Sequence, residues 1–264
     1  MDVFPLNLVL AVAVASATIF LGFLPTRNIR SPFFAQEAIK AALAWVFVAM
    51  VSPAAIMHYH FIIAILCFGA WWQFRRDKAL SGKMWLSIAS GLGISIGVML
   101  ILAVTPRAYP PGLPEQSRAF LLASIYLGGA VIGLAYVSYV LIQGSATRSG
   151  IANELVQRYV GLLLVLVLVR AASFIGPCLI ALVTYKGGLE NVSEEYLFFN
   201  QRFLINHFVE FKGVVALLGL VLPYLAFMAW RSTNSGNQHR ASLALAGVGL
   251  VGLMTEIFIR FHMG

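Results

Sequence analysis

Charge is the scarcest resource in this sequence: Lys, Arg, Asp and Glu together make up 11% of 264 residues, where a soluble globular protein carries about 25%. That scarcity excludes a soluble enzyme. Acidic residues are rarer still, 10 against 18 basic ones. The net charge of +8 would suit a nucleic-acid binder in a soluble protein, but in an apolar chain Lys and Arg fix topology instead. No nucleic-acid partner is expected.

Cysteine is nearly absent. Cys67 and Cys178 stand alone inside apolar runs, so there is no C-x-x-C pair, no iron–sulfur ligand set, no zinc site and no disulfide scaffold. Lone thiols in such runs behave as small hydrophobes. A basic segment at the N-terminus is also lacking, with Asp2 in its place and no small-residue cleavage site beyond. The first apolar segment is therefore expected to stay in the mature chain.

What the sequence has is hydrophobicity, at 60% of residues and a mean hydropathy of +0.87. Segments of about 20 apolar residues, enough for a hydrocarbon core roughly 30 Å thick, recur along its length. They predict eight spans, at 6–24, 36–58, 60–74, 84–104, 119–143, 157–184, 203–230 and 241–262. The fold class is thus all-α, a polytopic helical membrane bundle forming a single domain over 1–264. Pro25-Thr26-Arg27, Arg75-Arg76-Asp77-Lys78, Pro110-Pro111-Gly112, Gly187-Gly188 and Asn234-Ser235-Gly236 separate most spans. Only Ser52-Pro53 and the polar step Met57-His58-Tyr59-His60 divide the second from the third. No internal repeat stands out.

With eight alternating spans, ten basic residues fall on one side: Arg27, Arg30, Arg75, Arg76, Lys78, Lys83, Arg148, Arg158, Arg231 and Arg240. The other side has five: Arg107, Arg118, Lys186, Arg202 and Arg260. The richer side is expected in the cytoplasm, with both termini outside. The outer loops at 105–118 and 185–202 are the longest, and the second carries Glu190, Glu194 and Glu195 beside Tyr196, Phe198 and Phe199. That composition suits docking of a partner subunit and equally an interfacial aromatic belt.

Gly93-xxx-Gly97 and Gly129-xxx-Gly133 are spaced for close helix approach and read as bundle packing. Pro177 and Pro223 fall inside long spans, where a proline should kink the helix. Ionisable groups within a bilayer are costly and need a partner or a purpose. Arg170 is the deepest. Glu210 and Lys212 lie in the outer part of the seventh span, and Glu256 and Arg260 in that of the eighth. Glu256 and Arg260, one helical turn apart, can pair with each other, leaving Arg170 to Glu210 or to a carbonyl freed by a kink.

Histidines cluster. Four of five, His58, His60, His207 and His262, fall at the outer ends of the second, third, seventh and eighth spans, and only His239 is on the other side. Such a rim fits a quinone site, because imidazole can donate a hydrogen bond and accept a proton near neutral pH. A b-type haem needs axial histidines, which usually lie some way inside the helices. A transporter would show inverted repeats and paired broken helices with polar groups at the midplane, where this chain has little beyond Arg170.

In order along the chain, several motifs match one family. Phe4-Pro5-Leu6 opens a small-residue-rich helix like the family's W-P-L. Ala44-Trp45-Val46 through Ile56-Met57-His58 is similar to a second helix that ends in a histidine. Arg75-Arg76 to Lys83-Met84-Trp85-Leu86 matches a basic turn, Arg107-Ala108-Tyr109-Pro110 an R-x-Y before a Pro-containing loop, and Glu256-Ile257-Phe258-Ile259-Arg260-Phe261 a C-terminal G-E-x-x-G-R-x-x-F. The chain thereby resembles the membrane-anchor subunits of dimethyl sulfoxide reductase-type molybdoenzymes, which exchange electrons between quinone and an iron–sulfur partner. Departures are plain. Tyr59-His60-Phe61 follows His58 in place of L-G-x-P, Thr255 and Ile259 replace two glycines, and of the family's quinol pocket only His58 is matched.

The resemblance implies a multi-pass subunit of a prokaryotic inner-membrane complex, working in anaerobic respiration. It would bind menaquinone or ubiquinone, with iron–sulfur clusters and molybdopterin held by partner subunits. In that reading His58 bonds one quinone oxygen and takes its proton, and His60 or His207 is the second donor. Arg107, Glu256 and Arg260 shape the pocket or its proton outlet.

Overall fold

The structure, a computed structural model, describes residues 4–27, 29–108, 115–146, 151–184 and 208–261. It is all-α, and among the described residues eight helices are long and apolar enough to cross a membrane. These are α1 (Phe4–Phe23), α2 (Ser31–Met50), α3 (Ala54–Arg75), α4 (Ala79–Ala108), α5 (Glu115–Ala146) and α6 (Asn153–Thr184). The seventh, α7, runs Phe208–Ala216, continues through a π-helical segment Leu217–Val221 and ends as Leu222–Asn234; α8 is Gln238–Phe261. At 1.5 Å per residue the 22 residues of α3 extend about 33 Å, enough to cross the hydrocarbon core.

The boundary between the second and third spans differs most from expectation. The second span ends at Met50, not residue 58, and the third begins at Ala54. Proline explains it. Pro53 has no N–H to donate and its ring pushes Ser52 out of the helical region. The Ser52 hydroxyl instead bonds the Val48 carbonyl at 2.6 Å and accepts from the Asn7 amide, tying the turn to α1. His58 therefore lies in α3 and does not close α2.

Pro223 has a different effect. Its ring would clash with the carbonyl four residues earlier, at Gly219. The π segment Leu217–Val221 covers that position, and its wider turn gives the ring room. Pro177 is carried inside an unbroken α6.

The helices form two rings of four. In the first, α2 packs on α3, α3 on α4, and α1 on both α4 and α2; in the second, α5 packs on α6, α6 on α7, α7 on α8 and α8 back on α5. The seam is chiefly α1 against α5, and glycine makes it possible. A Cβ on Gly133 would lie 2.8 Å from the backbone carbon of Ser16, and one on Gly129 would strike Val12. Gly93 and Gly97 likewise admit Trp45 and the Tyr126 ring. Both small-residue pairs thus serve packing.

Large apolar side chains such as Ile65, Val165, Leu220 and Leu250 face outward, as a lipid-solvated bundle requires. At the end bearing the short turns 24–30, 76–78 and 235–237, cations meet aromatics. The Arg76 guanidinium lies 4.5 Å from the Trp72 ring and that of Arg75 5.4 Å from Trp71. Lys83 donates to the Leu24 carbonyl at the end of α1, a cation at a helix C-terminus.

Candidate functional site

Of the expected histidine rim, the structure describes two members, and it separates them. Residues two apart on a helix point about 200° away from each other. His60 turns inward and is wholly buried, whereas His58 is exposed on the outer face of α3 with its ring against Tyr59. On this helical phase the two rings face different sides of α3. His207 and His262 lie outside the described residues. Arg107 falls in the last turn of α4, and its side chain is outside the described set.

His60 stacks on Trp45 of α2, ring centroids 5.5 Å apart and planes at 18°. Neither imidazole nitrogen has a hydrogen-bond partner, and neither does the Trp45 indole nitrogen. A buried polar group left unpaired costs about 1–3 kcal/mol. The stacked pair thus holds three unpaired nitrogens, an indole donor and an imidazole that can both donate and accept. Nearby on the first ring, the Asn7 carbonyl oxygen at the start of α1 is also unpaired, while its amide bonds the Val48 carbonyl at 3.3 Å.

Glu256 and Arg260 lie in the other ring. Arg260 Nη2 is 3.3 Å from Glu256 Oε2, the one-turn pairing that the spacing implies. Arg170 goes elsewhere than expected: its Nε donates to Glu256 Oε1 at 2.7 Å, and among the described residues Glu210, half-buried at the start of α7, forms no ion pair with it. Arg170, Glu256 and Arg260 are all at most 5% exposed. The Arg170 guanidinium also lies 5.6 Å from the Phe174 ring. This triad joins α6 to α8 deep in the bundle. It belongs to the second ring, whereas His60 on α3 belongs to the first.

Sequence reading missed a third polar group. Glu37 of α2 is 3% exposed and accepts from the Tyr136 hydroxyl of α5 and from Lys40 Nζ, both at 2.6 Å. The signal was present as an acid and a base three residues apart in an apolar run. With a span starting at residue 36 they fall at its edge, whereas α2 begins five residues earlier, at Ser31. Two cavities lie between α2 and α5, and Glu37 borders one of them. One of about 580 Å³ is bordered by Arg30, Gln36, Glu37, Lys40 and Tyr139. The other, of about 350 Å³, is apolar and runs along α1 from Leu10 to Leu21. Lys40 borders both.

Compared with models of protein families, with curated proteins and with solved structures, the chain has no significant match.

Proposed function

We propose that this chain is the membrane-anchor subunit of a multi-subunit oxidoreductase, binding quinone or quinol and exchanging electrons with an iron–sulfur partner subunit. The observation that carries this reading is the buried His60–Trp45 stack with its three unpaired nitrogens. A quinone presents carbonyl oxygens that accept hydrogen bonds, and a quinol presents hydroxyls that donate them; His60 has one nitrogen for each task in its neutral form. Oxidation of a quinol releases two electrons and two protons. His60 takes one proton as it becomes imidazolium, and Trp45 donates a bond that holds the ring. An iron–sulfur partner would take the electrons, and the second proton would go to water on the outer side. The basic end, with Arg75, Arg76, Lys78 and Lys83, faces the cytoplasm of a prokaryotic inner membrane, so His60 lies in the outer half and both termini are outside.

His60→Phe should abolish quinol-coupled turnover in the co-purified complex while the partners remain bound. His58→Phe, which alters an exposed ring, should leave turnover within about twofold, well below the tenfold that 1.4 kcal/mol would bring. Unchanged turnover in His60→Phe overturns the assignment.

The same burial favours a second reading, a b-type cytochrome subunit, because His60 lies more than a turn inside α3 with a nitrogen open to a metal. A Soret band in the purified chain that vanishes in His60→Phe would decide for it.

A further inference from the structure

Two cavities between α2 and α5, one polar and one apolar, meet at Lys40, which borders both. α2 belongs to the first ring and α5 to the second, and a hydrogen bond from Tyr136 to Glu37 crosses between them. Toward the basic end the lining is polar, with Arg30, Gln36 and Lys40 at its mouth. Deeper it is walled by Leu10, Val14, Ala17, Ala44 and Ile132. From Leu10 to Leu21 the apolar part follows α1 for about 16 Å at 1.5 Å per residue, which is half of a roughly 30 Å hydrocarbon core. It has the depth of one leaflet, and it opens at the interface of that leaflet.

Charge selects the occupant. Arg30 is exposed at the start of α2 and makes no capping bond of its own. The Lys40 side chain is 54% exposed and pairs with Glu37, which leaves ammonium hydrogens for a second acceptor. The N-terminus of α2 adds the positive end of its helix dipole. Glu37 accepts from Lys40 and Tyr136, so Arg30 leaves the polar lining with a net positive charge.

We propose that these cavities are together a specific site for one glycerophospholipid with an anionic headgroup. Its phosphate sits between Arg30 and Lys40, and one acyl chain lies along α1. The lipid lies beside the seam of the two four-helix rings, between α2 and α5. This site does not rest on the quinone reading, whose residues, His60 and Trp45, line neither cavity.

The test is native mass spectrometry of the full chain released from nanodiscs containing phosphatidylglycerol and phosphatidylcholine with identical acyl chains. One phosphatidylglycerol should survive activation, at least tenfold over phosphatidylcholine. Arg30→Gln should erase that preference, and Ala44→Phe, which fills the apolar part, should eliminate retention of either lipid. Equal retention of the two lipids by the natural chain, wild-type behaviour of both variants, or a co-purified quinone in place of phospholipid would overturn the proposal.

Discussion

Arg170 Nε donates to Glu256 Oε1 at 2.7 Å, bonding α6 to α8 where both side chains are buried. A buried carboxylate between two guanidinium groups is expensive to desolvate, and removing it leaves cations uncompensated. Glu256→Gln should therefore destabilise the bundle by about 3–5 kcal/mol, read as a fall in the thermal midpoint in mild detergent. A midpoint within error of the natural chain would show that the triad is dispensable.

Gly128 should act through the same carboxylate. A Cβ there would fall on the Glu256 side chain. Gly128→Ala is expected to displace Glu256 from Arg170, and a double-mutant cycle with Glu256→Gln should show strong non-additivity. Additive losses would separate the two positions.

Glycine on the seam differs from glycine facing lipid. A Cβ on Gly133 meets the α1 backbone, which cannot yield, whereas one on Gly249 has nothing within 4 Å. Gly133→Ala should cost about 1–3 kcal/mol by overpacking. Gly249→Ala should be neutral or stabilise by up to about 1 kcal/mol through helix propensity. Paired thermal denaturation checks both signs.

Cys67 and Cys178 should resist modification. Both are at most 1% exposed, and the Cys178 thiol bonds the Phe174 carbonyl at 3.7 Å. In the folded protein a bulky maleimide reagent should label neither, and in denaturant it should label both. Rapid labelling before unfolding would contradict their burial.

The tightness of the α2–α3 turn is also open to test. Pro53→Ala restores an N–H and frees Ser52 to become helical, while Asn7 and Ser52 hold the turn against α1. The substitution should lower stability by about 0.4–1 kcal/mol through the greater freedom of the unfolded chain and leave the fold intact. A larger loss would mean that the rigid ring itself defines the junction.

The sequence by itself determined the solvent, the helical class and eight spans, because scarce charge and long apolar runs have one physical solution in a bilayer. It also determined that Glu256 can reach Arg260, since one helical turn separates them. Helical phase was harder to read. The polar step at His58 to His60 looked like a boundary, but a proline five residues earlier had already ended α2. Which way each imidazole points followed from that shift. Only tertiary structure decided that Arg170 meets Glu256 across 86 positions, that Tyr136 meets Glu37 across 99, and that the helices divide into two rings. Such pairings depend on which faces pack, and in lipid every face of a span is apolar enough to hide its neighbour in the sequence.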